Sequence, residues 1–123
     1  MTYDTARALR QAIEDRIRSV PGVDVQRARR RLVFERVLAR LVGAAPGLWV
    51  LKGGFALEAR MPERARATRD IDLAVAADFA AMDALRAAVV EALARDAAGD
   101  RFEFALGMVR PLPPLETGRS GWR

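Results

Sequence analysis

The sequence contains no cysteine and no histidine. Within this chain that excludes disulfides, the usual zinc sites, and the Ser-His or Cys-His pairs that activate nucleophiles. Any metal must be held by carboxylates, whose hard oxygens suit magnesium, manganese or calcium. Aromatic residues make up only 7%, and no apolar run approaches the roughly 20 residues of a membrane span. The N-terminus carries no secretory-signal pattern, so the expected location is the cytoplasm, with no membrane partner. Lysine is nearly absent as well: of 21 Lys and Arg residues, only Lys52 is a lysine. Position 52 therefore stands out as one suited to a compact ammonium rather than a planar fork.

What is present fits one small domain of 123 residues, taken here as residues 1–123. The hydrophobic share is 51%, but much of it is alanine, so helices can pack closely while burying little area each. The net charge of +5 and the pI near 11.1 favour phosphate-rich partners. An arginine-rich coding bias yields the same figures, so composition alone does not decide.

Residues 1–43 read as a helical lead-in. Leu9, Ile13 and Ile17 recur every four positions from about Asp4 to Ser19, with Asp4 or Thr5 as cap and Pro21-Gly22 as the break. Asp24 can cap a second helix from Val25 to Val42, striped by Ala28, Leu32, Leu38 and Leu41. Its arginines at 27, 29, 30, 31, 36 and 40 read chiefly as a solvated face, with a nucleic-acid-facing surface as the rival. Residues 48–109 read as the core. Leu48 to Leu51 has the apolar character of a strand buried on both faces, and Phe55 to Met61 has helical spacing that Pro62 ends. Asp70 to Val75 alternates as a strand, and a helix capped by Asp78 runs to about Arg95. Arg101 to Val109 alternates around Phe102 and Phe104 and suggests another strand. Residues 110–123 form a proline-containing connector and tail that leads toward a further strand.

The chemistry concentrates between Leu48 and Val75. A phosphate approaches a backbone closely only where no side chain intervenes. Gly53 and Gly54 give that clearance between a strand and a helix. The unpaired N–H groups and positive dipole end of the new helix face the same spot. Lys52 adjoins the turn, although strand alternation could point it away. Asp70 and Asp72, two apart on a strand, project to one side. Neighbouring carboxylates repel unless a cation or proton lies between them, so they form half of a magnesium–phosphate site. Each feature has a plain rival, a ligand-free turn or an acidic pair that merely keeps a strand soluble. In this order they reinforce one another, because the two strands would lie side by side.

The segments Leu51-Lys52-Gly53-Gly54-Phe55-Ala56-Leu57-Glu58 and Arg66-Ala67-Thr68-Arg69-Asp70-Ile71-Asp72-Leu73 resemble the signature of the AbiEii/AbiGii toxins, in the polymerase-beta-like nucleotidyltransferase superfamily. The close likeness covers about the middle fifth of the chain. It implies an α/β (α+β) fold: a nucleotidyltransferase-like mixed sheet with flanking helices behind a helical lead-in. It also implies Mg2+- or Mn2+-dependent transfer of a nucleoside monophosphate from a triphosphate to an acceptor, transfer RNA or protein. The setting would be a toxin–antitoxin or abortive-infection system with a cognate antitoxin. Carried over by position, Gly53 and Gly54 hold the nucleotide phosphates, Asp70 and Asp72 are catalytic metal ligands, and Lys52, Thr68 and Arg69 flank the nucleotide. Glu58 reads as a structural partner for an arginine.

The likeness fails at one point. Family members place a third carboxylate and a further lysine on later elements, and Glu103 is not at that position. The expected fold is therefore incomplete, and whether the chain is an enzyme stays open. The rival reading is a truncated, catalytically incompetent nucleotide- or RNA-binding fragment.

Overall fold

The computed structural model describes residues 4–61, 69–76, 82–96, 99–112 and 121–122. Two helices lead, α1 (Ala6–Ser19) and α2 (Val25–Ala44). Of the two candidate caps for α1, Thr5 does the work, its hydroxyl accepting from the Ala8 N–H at 3.1 Å. Asp24 caps α2 through the Arg27 N–H. Such side chains satisfy N–H groups that a helix start leaves without partners. Leu9, Ile13 and Ile17 turn toward Ala28 and Leu32 of α2. Small residues there limit what can be covered, and no residue of α1 is fully buried.

The chain then forms β1 (Trp49–Lys52), α3 (Gly53–Arg60), β2 (Asp72–Val75) and α4 (Met82–Ala94). β1 and β2 pair antiparallel, with Trp49 opposite Val75 and Lys52 opposite Asp72. A second short antiparallel pair joins β3 (Pro111–Leu112) to β4 (Gly121–Trp122). The mixed α/β class and the N-terminal helices follow the expectation, and the β structure among the described residues is these two ladders. β1 differs from its reading as a strand buried on both faces: its burial alternates, and Val50 is 52% exposed. A two-stranded ladder with one packed face has nothing to cover the other. α3 starts two residues earlier than the apolar spacing suggested, at Gly53, and β2 starts two residues later than the alternation suggested, at Asp72. Pro62, Thr68, Asp78 and the Pro113-Pro114 pair lie outside the described residues.

The core is thin. Among the described residues, Leu41, Phe55, Ala92 and Leu93 are the buried apolar ones, and arginine supplies much of the rest. The reading of the α2 arginines as a solvated face holds poorly. Arg29 makes a two-pronged ion pair with Glu14 of α1, which holds that carboxyl below its usual range. Arg36 lies 3.7 Å from Asp100. Arg40 is buried and donates to the Leu93 carbonyl at 2.5 Å, Asp100 Oδ1 at 2.6 Å and the Phe102 carbonyl at 2.7 Å. Its guanidinium also lies 4.9 Å from the centre of the Phe104 ring. One side chain thus ties α2 to the end of α4 and to the segment beyond it. Arg31, paired with exposed Glu35 one turn on, is the solvated kind.

That segment corrects another expectation. Burial alternates only from 101 to 105, with Phe102 and Phe104 half-buried and Glu103 exposed; residues 105–108 are all exposed, and 101–109 form no ladder among the described residues. Alternation makes a chain extended; a strand also needs a free neighbouring edge. Here the Phe102 carbonyl is taken by Arg40 and the two phenyl rings stack, centroids 6.1 Å apart. The turn before them is fixed by Asp96, whose carboxylate accepts from the Asp100 and Arg101 N–H groups at 2.8 and 3.0 Å. These bonds hold the Asp96 carboxyl below the usual aspartate range, with Arg40 contributing.

Two outcomes follow. Replacing Arg40 by Met takes the guanidinium from two carbonyls and from Asp100, which among the described residues keeps only the Phe102 N–H and the more distant Arg36, and urea unfolding should register a loss of about 3 kcal/mol. Asp96 stabilises the fold only while ionised, because its folded-state pKa lies below the unfolded one. Its advantage over Asp96→Asn should be full at neutral pH. It should shrink as pH falls below the unfolded aspartate value of about 3.9 and vanish below the folded value. Melting curves across pH would check this, and a gap that widens on acidification would contradict it.

Candidate functional site

The ladder register builds the site. In an antiparallel pair, residues directly opposite each other point to the same face. Lys52 and Asp72 are such partners, so the lysine stands on the aspartate's face rather than pointing away. Both side chains are exposed, and no ion pair joins them among the described residues. Lys52 is also the residue that precedes α3, in extended conformation with no side-chain cap. The strand therefore ends and the helix starts opposite the first residue of β2.

Gly53 sits at that junction with φ of +73°, a conformation that side-chain-bearing residues rarely adopt. A Cβ built there would collide with Oδ2 of Asp72 and lie 3.1 Å from its Cγ. The clearance at this glycine is thus used first by a carboxylate of the same chain. That is a more specific requirement than room for a phosphate. Gly54 follows in the exposed first turn of the helix. None of the described residues donates a hydrogen bond to Asp72, so its carboxylate is open toward solvent beside the helix start.

The structure brings Lys52, Gly53, Gly54 and Asp72 together. Asp70 and Arg69 are exposed and precede β2 rather than lying in it. Exposure alternates from Asp70 through half-buried Ile71 to Asp72, as expected for two acids on one side, but the alternation then stops, with Leu73, Ala74 and Val75 all half-buried. Thr68 lies outside the described residues. Among the described residues no group of three or more acids is arranged to hold a metal. Two exposed carboxylates do fit magnesium or manganese shared with phosphate oxygens, because magnesium is commonly bound by one or two carboxylates plus substrate phosphates. They do not fit a cage made by protein alone.

Behind the junction, α3 is held on α2. Phe55 is buried and meets Phe34 edge to face, with centroids 5.2 Å apart. Glu58 is 3% exposed and accepts from Arg27 Nε at 2.8 Å, which agrees with its reading as an arginine's partner. Arg27 itself was read with the solvated face. The signal for it was Glu58, an acid three residues after a core phenylalanine, whose burial would demand a cation.

Gly53→Ala should cost about 2 kcal/mol from the left-handed backbone alone, plus the collision with Asp72. Gly47 is the control, since its φ is +80° and nothing lies within 4 Å of a Cβ there. Chemical denaturation should show Gly53→Ala to be the more damaging change, and Asp72→Ala in the same chain should remove the excess. Equal costs at the two glycines would contradict the close approach.

The family model described as "Nucleotidyl transferase AbiEii toxin, Type IV TA system" matches residues 36–116, a span that includes the end of α2, the glycine junction, both aspartates and α4. No curated protein and no solved structure matches the chain. The match covers well over half of the sequence and contains the two motifs on which the resemblance was founded. The chain belongs to the AbiEii nucleotidyl transferase toxin family.

Proposed function

We propose that this chain binds a nucleoside triphosphate with its divalent cation at the Gly53–Asp72 junction and transfers the nucleoside monophosphate to an acceptor, a transfer RNA or a protein. The observation that carries the reading is the open Asp72 carboxylate packed against Gly53 at the start of α3. It sets a metal ligand next to a helix end whose N–H groups favour anions. In this reading Gly53 and Gly54 face the phosphates, Asp70 and Asp72 hold Mg2+ or Mn2+, and Lys52, Thr68 and Arg69 flank the nucleotide. Bound magnesium supplies charge neutralisation and polarises the phosphoryl group. The chain's own residues orient the triphosphate and hold its cation, so catalysis is positioning and charge stabilisation, which needs neither histidine nor cysteine. The protein acts in the cytoplasm as the toxin of a type IV toxin–antitoxin pair, opposed by a cognate antitoxin.

One observation favours a second reading. Two-metal phosphoryl-transfer chemistry draws on more oxygen ligands than two aspartates give, and the described residues hold no third acid beside them. A domain that binds phosphate without transferring it would look the same.

Incubation with each labelled triphosphate, magnesium and total RNA or cell protein separates the two. The first reading expects labelled acceptor, reduced at least about a hundredfold by Asp70→Asn or Asp72→Asn. Triphosphate binding without transfer supports the second. A chain that neither transfers nor binds overturns both.

A further inference from the structure

α3 has eight residues, too few to be stable by its own hydrogen bonds. Its place is therefore set by what it touches. Phe55 and Glu58, three apart, share one face of α3. Arg27 and Phe34, seven apart, share one face of α2. The two helices meet at two points along that line, ring on ring at 5.2 Å and carboxylate on guanidinium at 2.8 Å. Arg30 and the exposed Arg31 flank this contact at the surface.

The two contacts do different things. An edge-to-face ring pair holds the helices together but tolerates sliding and rotation. A charged hydrogen bond is directional, and with Glu58 buried it fixes the rotation of α3 about its axis and its position along α2. Burying a carboxylate is costly, and an apolar pair of similar volume would hold the helices at least as well. What the ion pair adds is a unique setting of the helix. Five residues upstream that setting matters, because the space beside Gly53 that a Cβ would take is occupied by the Asp72 carboxylate.

We propose that Arg27 and Glu58 are positioning residues for the phosphate-binding junction: the ion pair between half-buried Arg27 and buried Glu58 sets the rotation of α3 and thereby aims the Gly53–Gly54 N–H groups at the anion held beside Asp72. The inference rests on the proposed function in one respect, that phosphates bind at this junction.

The test uses the full chain and magnesium tripolyphosphate, a probe without a base, titrated calorimetrically at one ionic strength. Asp72→Asn, Glu58→Gln, Arg27→Gln and the Arg27→Gln/Glu58→Gln double variant are compared, with melting temperatures and the Gly53 and Gly54 amide resonances recorded for each. Glu58→Gln and Arg27→Gln should each weaken binding about tenfold, and the double variant no further, because the two act as one unit. Both glycine amides should shift in the absence of ligand. A purely structural pair would lower the melting temperature while leaving the dissociation constant of the folded protein and the glycine resonances unchanged, and that result overturns the proposal. If Glu58→Gln does not fold, Glu58→Asp keeps the charge, shortens the reach by one methylene and carries the same test. The wild-type titration separates the two levels of failure. A wild-type chain that does not bind the probe overturns the functional reading and the positioning role with it. Binding lost in Asp72→Asn but intact in the Arg27 and Glu58 variants overturns the positioning role alone.

Discussion

The close approach of the Asp72 carboxylate to the Gly53 backbone is the constraint around which the rest of the motif is arranged. It combines three requirements. The backbone must turn through φ of +73°, the residue must lack a side chain, and the two strands must hold a register that puts position 72 opposite position 52. A slip of one residue would send Asp72 to the other face of the ladder. Glycine at 53 is thus demanded twice, once by conformation and once by space.

The surroundings hold that junction with charge as much as with apolar burial. A core of Leu41, Phe55, Ala92 and Leu93 is small for a chain of this length. Three arginines of α2, Arg40 buried and Arg27 and Arg29 half-buried, act as polar cross-links between elements that alanine packs only loosely. Arg29 joins α2 to α1, Arg27 joins it to α3, and Arg40 joins it to α4 and the Phe102 segment. Each guanidinium offers several donors in a fixed fork, which allows Arg40 to satisfy two carbonyls and a carboxylate at once. α2 is therefore the spine of the described residues, and α3 carries its packing to the glycine junction.

Local patterning was legible where it depended on the residue alone. Thr5 and Asp24 announce helix starts because their short oxygens reach the second or third N–H. The order of the Gly-Gly and Asp-x-Asp motifs points to neighbouring strands, because strand, turn and strand leave few ways to connect them, and Gly53 does lie beside Asp72. What depended on partners was not legible. The alternation at Phe102 and Phe104 gave an extended segment but no ladder, since Arg40 occupies the carbonyl that a neighbouring strand would need. The arginines of α2 were read as solvated because their acids, Glu14, Glu58 and Asp100, are 15, 31 and 60 to 64 residues away. Helical periodicity reports which side of a helix is apolar. It is silent about a cation that is buried because a distant carboxylate meets it.

The same charge logic bears on how a site of this composition would work. The chain carries a net charge of +5, so a polyphosphate is drawn toward it as a whole. At the junction the exposed carboxylates of Asp70 and Asp72 stand beside exposed Lys52 and Arg69, and the two carboxylates would repel the same anion. A divalent cation resolves the conflict, and two carboxylates alone hold magnesium only weakly. In the proposed function, metal and triphosphate therefore bind as coupled ligands, each raising the affinity for the other by the same factor. In the proposed function, recognition of a polyphosphate rests on the arrangement of acids, glycine and helix start, with no dedicated metal cage required.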